Sequence, residues 1–372
     1  MNRTVKTLLC LFLTFALLIS VVLPVFAAGA AFEDGAYMSV LTASDFQDLG
    51  SKAYERFGKM LNKMKDDGLE TPDSMLVGGD YTKILFDYAA PGVTQIRQQL
   101  TAVYPDADPD AVVCIQGNHD NPTASLTKTG FYDMGGYCLY VINEDDFPWQ
   151  QGLRPLAEKR IKALADKMTA AFDGMIENGD LRPVIVLTHL PLHHTTRNSY
   201  ADNKYASYLF NAINAAAETL DVIFLFGHQH SGDFDDYIGG SVNFIAPGET
   251  LRVPLTDKAG ENAYTEETLN FTYLNCGYVG YSDNTESETS TNKLTLGVIR
   301  FTDDSFRFVK YTEDGFYAEW TVARKNPGTG KDTARTSYPA LTDAAVWQAE
   351  LDFFTRLFAF FRKLIALFSF AA

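Results

Sequence analysis

Six histidines occur in the 372 residues, at 119, 189, 193, 194, 228 and 230. Each lies in or beside a short segment that also carries a carboxylate, an amide or a glycine. The segments are GGD (78–80), GNHD (117–120), TH (188–189) and GHQH (227–230), preceded by Ser44-Asp45-Phe46-Gln47. Carboxylate oxygen, amide oxygen and imidazole nitrogen together suit borderline divalent metals such as Mn, Fe, Zn, Co or Ni. An H-x-H pair on a loop can aim two imidazoles at neighbouring positions. Glycines ahead of Asp80, Asn118 and His228 permit the sharp turns that expose a ligand. Alone, each segment is weak, since GNHD arises by accident and a single histidine such as His189 is more often a hydrogen-bonded core residue. It is the set, in this order, that points to metal chemistry.

Such residues must be brought together by the elements that carry them. Short apolar runs at 37–43, 74–79, 111–117, 137–142, 183–189 and 221–228 read as buried strands. Helical patterns over 51–68 and 154–179 lie between them. In the second, Leu156, Ile161, Leu164, Met168, Phe172 and Met175 fall near helical spacing. Strands alternating with helices predict an α/β arrangement with much of the sheet parallel. Ligand sites in such folds gather at the carboxyl ends of strands, which is where the acid, amide and histidine segments stand. From about residue 242 the pattern turns strand-rich, hairpin-like and antiparallel, and 282–293 reads as an exposed loop.

The rest of the chain bounds the setting. Residues 1–30 begin with Arg3 and Lys6, continue in an apolar run from Leu8 to Phe26 and end in Ala27–Ala30, the layout of a secretory signal peptide cleaved after Ala28 or Ala30. The alternative is an uncleaved anchor, and either places the body outside the cytoplasm. A formal net charge of −16 makes the chain a poor electrostatic partner for nucleic acid. Beyond the signal, Cys114, Cys138 and Cys276 do not make a disulfide framework. The main domain spans 31–324. Residues 325–348, rich in Gly, Pro and Thr, read as a flexible linker. Residues 349–372 form an amphipathic C-terminal helix, with a Phe/Leu face opposite Arg356, Arg362 and Lys363. Those charges argue against a membrane span. The helix either lies on a membrane surface, docks on a partner, or folds back on the domain.

The quoted segments resemble the calcineurin-like metallophosphoesterases, whose pattern runs D-x-H, GD, GNH(D/E), H and GHxH. The resemblance covers about residues 37 to 325. It implies an α/β (α+β) fold in which two mixed β-sheets form a sandwich flanked by α-helices. It also implies hydrolysis of phosphate mono- or diesters at two divalent metal ions, with Mn, Fe or Zn foremost. Carried over residue by residue, it makes Asp80 the bridge between both metals. Asn118, His189 and His228 complete one site; Asp45 and His230 serve the other. A bridging hydroxide attacks the phosphorus, and His119 sits beside the scissile phosphate as charge stabiliser and proton donor. Asp120 is expected to hold the His119 ring. His193, His194 and Arg197 are read as a substrate rim or as exposed loop residues, and Tyr81 and Thr82 as candidate pocket lining.

Gln47 departs from the family pattern by replacing the histidine of D-x-H. Its amide oxygen ligates a metal directly, or it holds a metal-bound water, or the chain is a non-catalytic relative. Every other metal-facing position is filled, so the site reads as altered rather than damaged. One metal is then held less tightly than with histidine. The expected function is a secreted metal-dependent phosphoesterase acting on a small-molecule or headgroup phosphate ester. The rival is a non-catalytic metal-binding surface protein that recognises phosphorylated ligands or partner proteins.

Overall fold

The computed structural model describes residues 32, 35–47, 52–81, 89–121, 123, 125–193, 203–229, 244–255, 264–280 and 294–334. The six apolar runs all become strands: β1 (Met38–Ala43), β2 (Ser74–Val77), β3 (Val112–Cys114), β5 (Cys138–Ile142), β6 (Val184–Thr188) and β7 (Val222–Phe226). β4 (Gly130–Asp133) precedes β5 as an antiparallel partner. β1, β2 and β3 run parallel in one sheet, and β5, β6 and β7 run parallel in the other.

The later segment supplies β8 (Phe244–Ile245), β9 (Thr250–Pro254), β10 (Tyr264–Thr268), β11 (Thr272–Asn275), β12 (Leu296–Phe301), β13 (Ser305–Thr312) and β14 (Gly315–Ala323). Most of it is antiparallel as expected, with β12 closing on β1 and the β12–β13–β14 meander following. β11 is the exception, because it lies parallel beside β7. Among the described residues the result is two six-stranded mixed sheets, β14-β13-β12-β1-β2-β3 and β4-β5-β6-β7-β11-β8, plus the β9–β10 pair.

Strand periodicity explains the layering. Met38 and Val40 of β1, Leu76, Ile185, Leu187, Ile223 and Leu225 fill the space between the sheets together with Ile299 and Phe308. The alternate residues Leu41, Ala43, Met75 and Val77 face α1 (Lys52–Asp66) and α2 (Ala89–Val103). On the second sheet Val184, Val186, Val222, Phe224 and Phe226 face α3 (Ala157–Glu177) and α4 (Ala206–Ala216). Strands buried on both faces must be apolar throughout, which is why they appear as unbroken runs. In α3, Ile161, Leu164, Met168, Phe172 and Met175 are buried as the spacing predicts. Leu156 is not: it precedes the helix and is exposed.

Two expectations change. The first ten residues assigned to the linker are fastened to the domain. The Lys325 and Asn326 N–H groups donate to the two oxygens of Asp221 (2.7 and 3.1 Å), and the Thr329 hydroxyl donates to the Leu181 carbonyl (3.0 Å). The chain therefore stays tied to the domain past residue 324. Second, Leu156 of the predicted helical pattern precedes α3 and is exposed. Cys114, Cys138 and Cys276 are free and buried. Residues 1–30 and 349–372 lie outside the described residues. Among the described residues no helix is long and apolar enough to cross a membrane.

Candidate metal centre

The loops after β1, β2, β3, β6 and β7 meet at one edge of the sandwich. Those after β1, β2 and β7 turn sharply at the end of their strands, and the backbone records it. Asp45 (φ 53°), Gln47 (φ 39°), Asp80 (φ 57°) and His228 (φ 64°) all adopt left-handed conformations. For non-glycine residues that costs about 1–2 kcal/mol each, and such strain concentrates at functional sites. The turns are held by cross-loop hydrogen bonds. Asp45 N–H donates to Gly79 C=O (2.9 Å), Gln47 N–H to Asp80 C=O (3.0 Å), and Gly227 N–H to His189 C=O (3.0 Å). Glycine is required where loops cross: a Cβ on Gly117 would lie 2.2 Å from Asp80 Oδ1, and one on Gly227 2.9 Å from Asp45 Oδ2.

Three potential ligands, Asp45, Asp80 and His189, present atoms within 4.8 Å of one another, and all three are buried. Asn118 joins them, its Oδ1 accepting from His189 Nε2 and His228 Nδ1, both at 2.8 Å. His228 N–H donates to Asp45 Oδ2 at 2.9 Å. Asp80 Oδ2 lies 3.4 Å from His189 Nε2 and 4.0 Å from His119 Nε2. It also accepts from Gln47 Nε2 at 2.9 Å.

Electrostatically the cluster asks for positive charge. Asp80 is wholly buried, and no lysine or arginine among the described residues pairs with it; its ion-pair partners are histidines. Burial opposes its charge, yet His189 and then His119 hold its pKa below the usual carboxylate range. Burial by itself would keep His189 neutral. Asp80, with Asp45 and the Gly78 carbonyl, instead pushes its pKa up to about 10. A divalent cation can take the place of that imidazolium proton, so the donor set and its charge fit a metal.

Other expected residues are placed differently. Asp120 does not hold the His119 ring. Its Oδ2 accepts from the Asp80 and Gly117 N–H groups (2.7 and 2.8 Å), and its Oδ1 accepts from Tyr81 N–H (2.9 Å). Burial and the neighbouring Asp80 charge push its pKa up. Its work is to clamp the GGD and GNHD loops together. His119 donates its backbone N–H to Asp80 Oδ1 (2.9 Å), while its ring stands about one-third exposed at the mouth, with no hydrogen-bond partner for Nδ1 among the described residues. His193 is not a substrate rim. It is fully buried, its Nδ1 pairs with Tyr273 Oη (2.8 Å), and its ring packs edge-on against Phe226 and Tyr273. Tyr81 is also buried, its hydroxyl donating to Ile115 C=O (3.0 Å). Thr82, His194, Arg197 and His230 lie outside the described residues.

Sequence reasoning missed two supports. Asn275 Nδ2 donates to the Gln229 carbonyl (3.2 Å), between the two histidines of GHQH, and Lys310 Nζ caps the Asn275 carbonyl. The loop after β5 brings the Trp149 ring to 6.2 Å from the His228 ring. The strand-end rule could have found this loop, since β5 is parallel to β6 and its carboxyl end carries Asn143 and Glu144.

A two-sheet sandwich with a buried carboxylate, amide and imidazole cluster at its strand ends is the scaffold of a metal-dependent hydrolase. The calcineurin-like phosphoesterase model matches residues 38–232, and the chain belongs to that family. No curated protein matches the sequence. Among solved structures, a dimetal phosphatase from Danio rerio is 9% identical with a TM-score of 0.45, covering 78% of this chain and all of that one. GAP50, the anchor in the inner membrane complex of Plasmodium, is 11% identical with a TM-score of 0.42, covering 81% and 92%. Vps29 from Entamoeba histolytica is 15% identical with a TM-score of 0.32, covering 77% and 99%.

Proposed function

We propose that the protein hydrolyses phosphate mono- or diesters outside the cytoplasm, using two divalent ions. The observation that carries this reading is the buried Asp45–Asp80–His189 cluster, joined through Asn118 to His228, on a fold of the phosphoesterase family. Asn118, His189 and His228 would hold one ion with Asp80, and Asp45 would serve the other, for which the family pattern supplies His230. Bound ions supply Lewis acidity to phosphoryl oxygens and lower the pKa of water. The chain itself orients the ester at the mouth, where the exposed face of His119 can meet a phosphate oxygen or give a proton to the leaving alkoxide. The signal-like residues 1–30 support the location, and the amphipathic residues 349–372 support a peripheral place on the envelope.

Gln47 makes the two ion positions unequal. Its Nε2–H donates to Asp80 Oδ2, which leaves only the neutral amide oxygen to ligate, a weaker donor to a borderline ion than the imidazole of the family pattern. The ion on the Asp45 side is thus held by fewer strong ligands. Calorimetric titration of metal-stripped protein with Mn²⁺ should show one tight site and one at least about tenfold weaker, and Gln47→His should tighten the weak one about tenfold. Two equal sites in the parent would remove this account of Gln47. A chain that binds metal but turns over no ester would be the non-catalytic phosphate-recognising protein instead.

A further inference from the structure

The loop from β5 to α3 leads from the metal centre to the surface. Glu144, buried, accepts both Trp149 N–H (2.9 Å) and Arg154 Nη2 (2.7 Å), and Arg154 Nε returns to the Trp149 carbonyl (2.8 Å). Both backbone polar groups of Trp149 are therefore gripped, with its indole beside His228. Beyond this clamp the chain projects outward. Residues 152–156 are all exposed. Leu153 and Leu156 are 71% and 67% exposed, the most exposed large apolar side chains among the described residues. Leu156 also adopts a left-handed backbone (φ 64°), which a leucine disfavours. Two leucines within four positions, unburied and one of them strained, contribute nothing to this domain's core. Paired apolar exposure of that kind marks a contact surface. The charge around it points to the partner: in a chain of net charge −16, exposed Arg154, Lys159 and Arg160 flank the leucines, while Lys162 pairs with the intervening Glu158 (3.2 Å). Apolar tips flanked by cations suit an anionic lipid surface, where leucines enter the acyl boundary and lysines meet headgroups.

We propose that loop 149–156 docks the mouth of the metal centre onto an anionic phospholipid surface, and that the substrate is the phosphate ester of a lipid in that surface. The substrate half rests on the phosphoesterase reading above; the docking half does not. The Glu144–Arg154 clamp joins the tip to the wall beside His228.

The test uses the full chain loaded with Mn²⁺, as parent and as Leu153→Ser/Leu156→Ser. Flotation with vesicles of phosphatidylcholine and phosphatidic acid measures binding. Phosphate release from the same vesicles, and from a soluble chromogenic ester, measures turnover. The expected result is about tenfold weaker vesicle binding and about tenfold slower vesicle turnover, with soluble-ester turnover unchanged. Parent-like vesicle binding by the variant, or no vesicle binding by the parent, would overturn the docking tip. Equal loss on soluble and vesicle esters would overturn it too, since the loop would then only support Trp149. Leucine-dependent binding without turnover of any ester would uphold the tip and reject the phosphoesterase reading.

Discussion

Replacing Asp80 by Asn should abolish metal uptake and reduce phosphate-ester turnover by at least about a thousandfold, the loss of several kcal/mol of charge stabilisation that bound metal supplies. Asp80 is the contact shared by Gln47 Nε2, His189 Nε2 and the His119 N–H. An asparagine in its place sets one amide nitrogen against groups that are themselves donors, and it leaves the buried His189 without its counter-charge. Breaking a buried pair in this way costs about 3–5 kcal/mol. The metal-free parent has a defined pH window. The Asp80 contribution is present above the unfolded carboxylate pKa of about 3.9 and is lost as pH falls through its depressed folded value. The His189 contribution is full below the unfolded imidazole pKa of about 6.5 and is lost as pH rises through about 10. Urea unfolding of stripped parent and variant at neutral pH, with calorimetric metal titration, checks both parts. Parent-like metal affinity in the variant would move the centre away from Asp80.

Replacing His119 by Ala should slow turnover by about a hundredfold to ten-thousandfold while leaving metal affinity and stability near those of the parent. The distinction follows from which part of His119 touches Asp80. The backbone N–H makes the hydrogen bond and survives the substitution, while the ring stands farther off, its Nε2 4.0 Å from Asp80 Oδ2. The ring is part-exposed, with Nδ1 unpartnered among the described residues, so its role lies with the substrate. Steady-state kinetics on a chromogenic diester and metal titration of the same preparation separate the cases. Loss of metal together with turnover would make the ring part of the centre's framework.

The strands and their order around the metal centre were legible because strands buried on both faces leave unbroken apolar runs, and because acids and histidines at their carboxyl ends are out of place in a core. α2 and α4 were harder. α2 opens with Ala-Ala-Pro-Gly, and α4 is almost uniformly apolar or small, so neither shows a clear polar face. The parallel placement of β11 beside β7 depends on pairing between distant segments, which periodicity cannot report.

Individual roles failed where direction mattered. His193 is four residues past His189, but the intervening turn carries it beneath the Tyr273 hydroxyl instead of to the mouth. Asp120 follows His119 directly, yet its carboxylate is spent on three backbone N–H groups that no side-chain pattern announces. The presence of Gln47 in the centre was readable; the donation of its Nε2–H to Asp80 was not.

The most direct test is turnover by metal-stripped protein on a chromogenic phosphate monoester and the matching diester, with Mn, Fe, Zn, Co, Ni and Mg restored one at a time. The account predicts no hydrolysis without metal and clear hydrolysis of at least one ester with a borderline ion, lost again on chelation. Hydrolysis that persists after stripping, or a metal-loaded protein silent on both esters and on vesicle lipid phosphate, would contradict it.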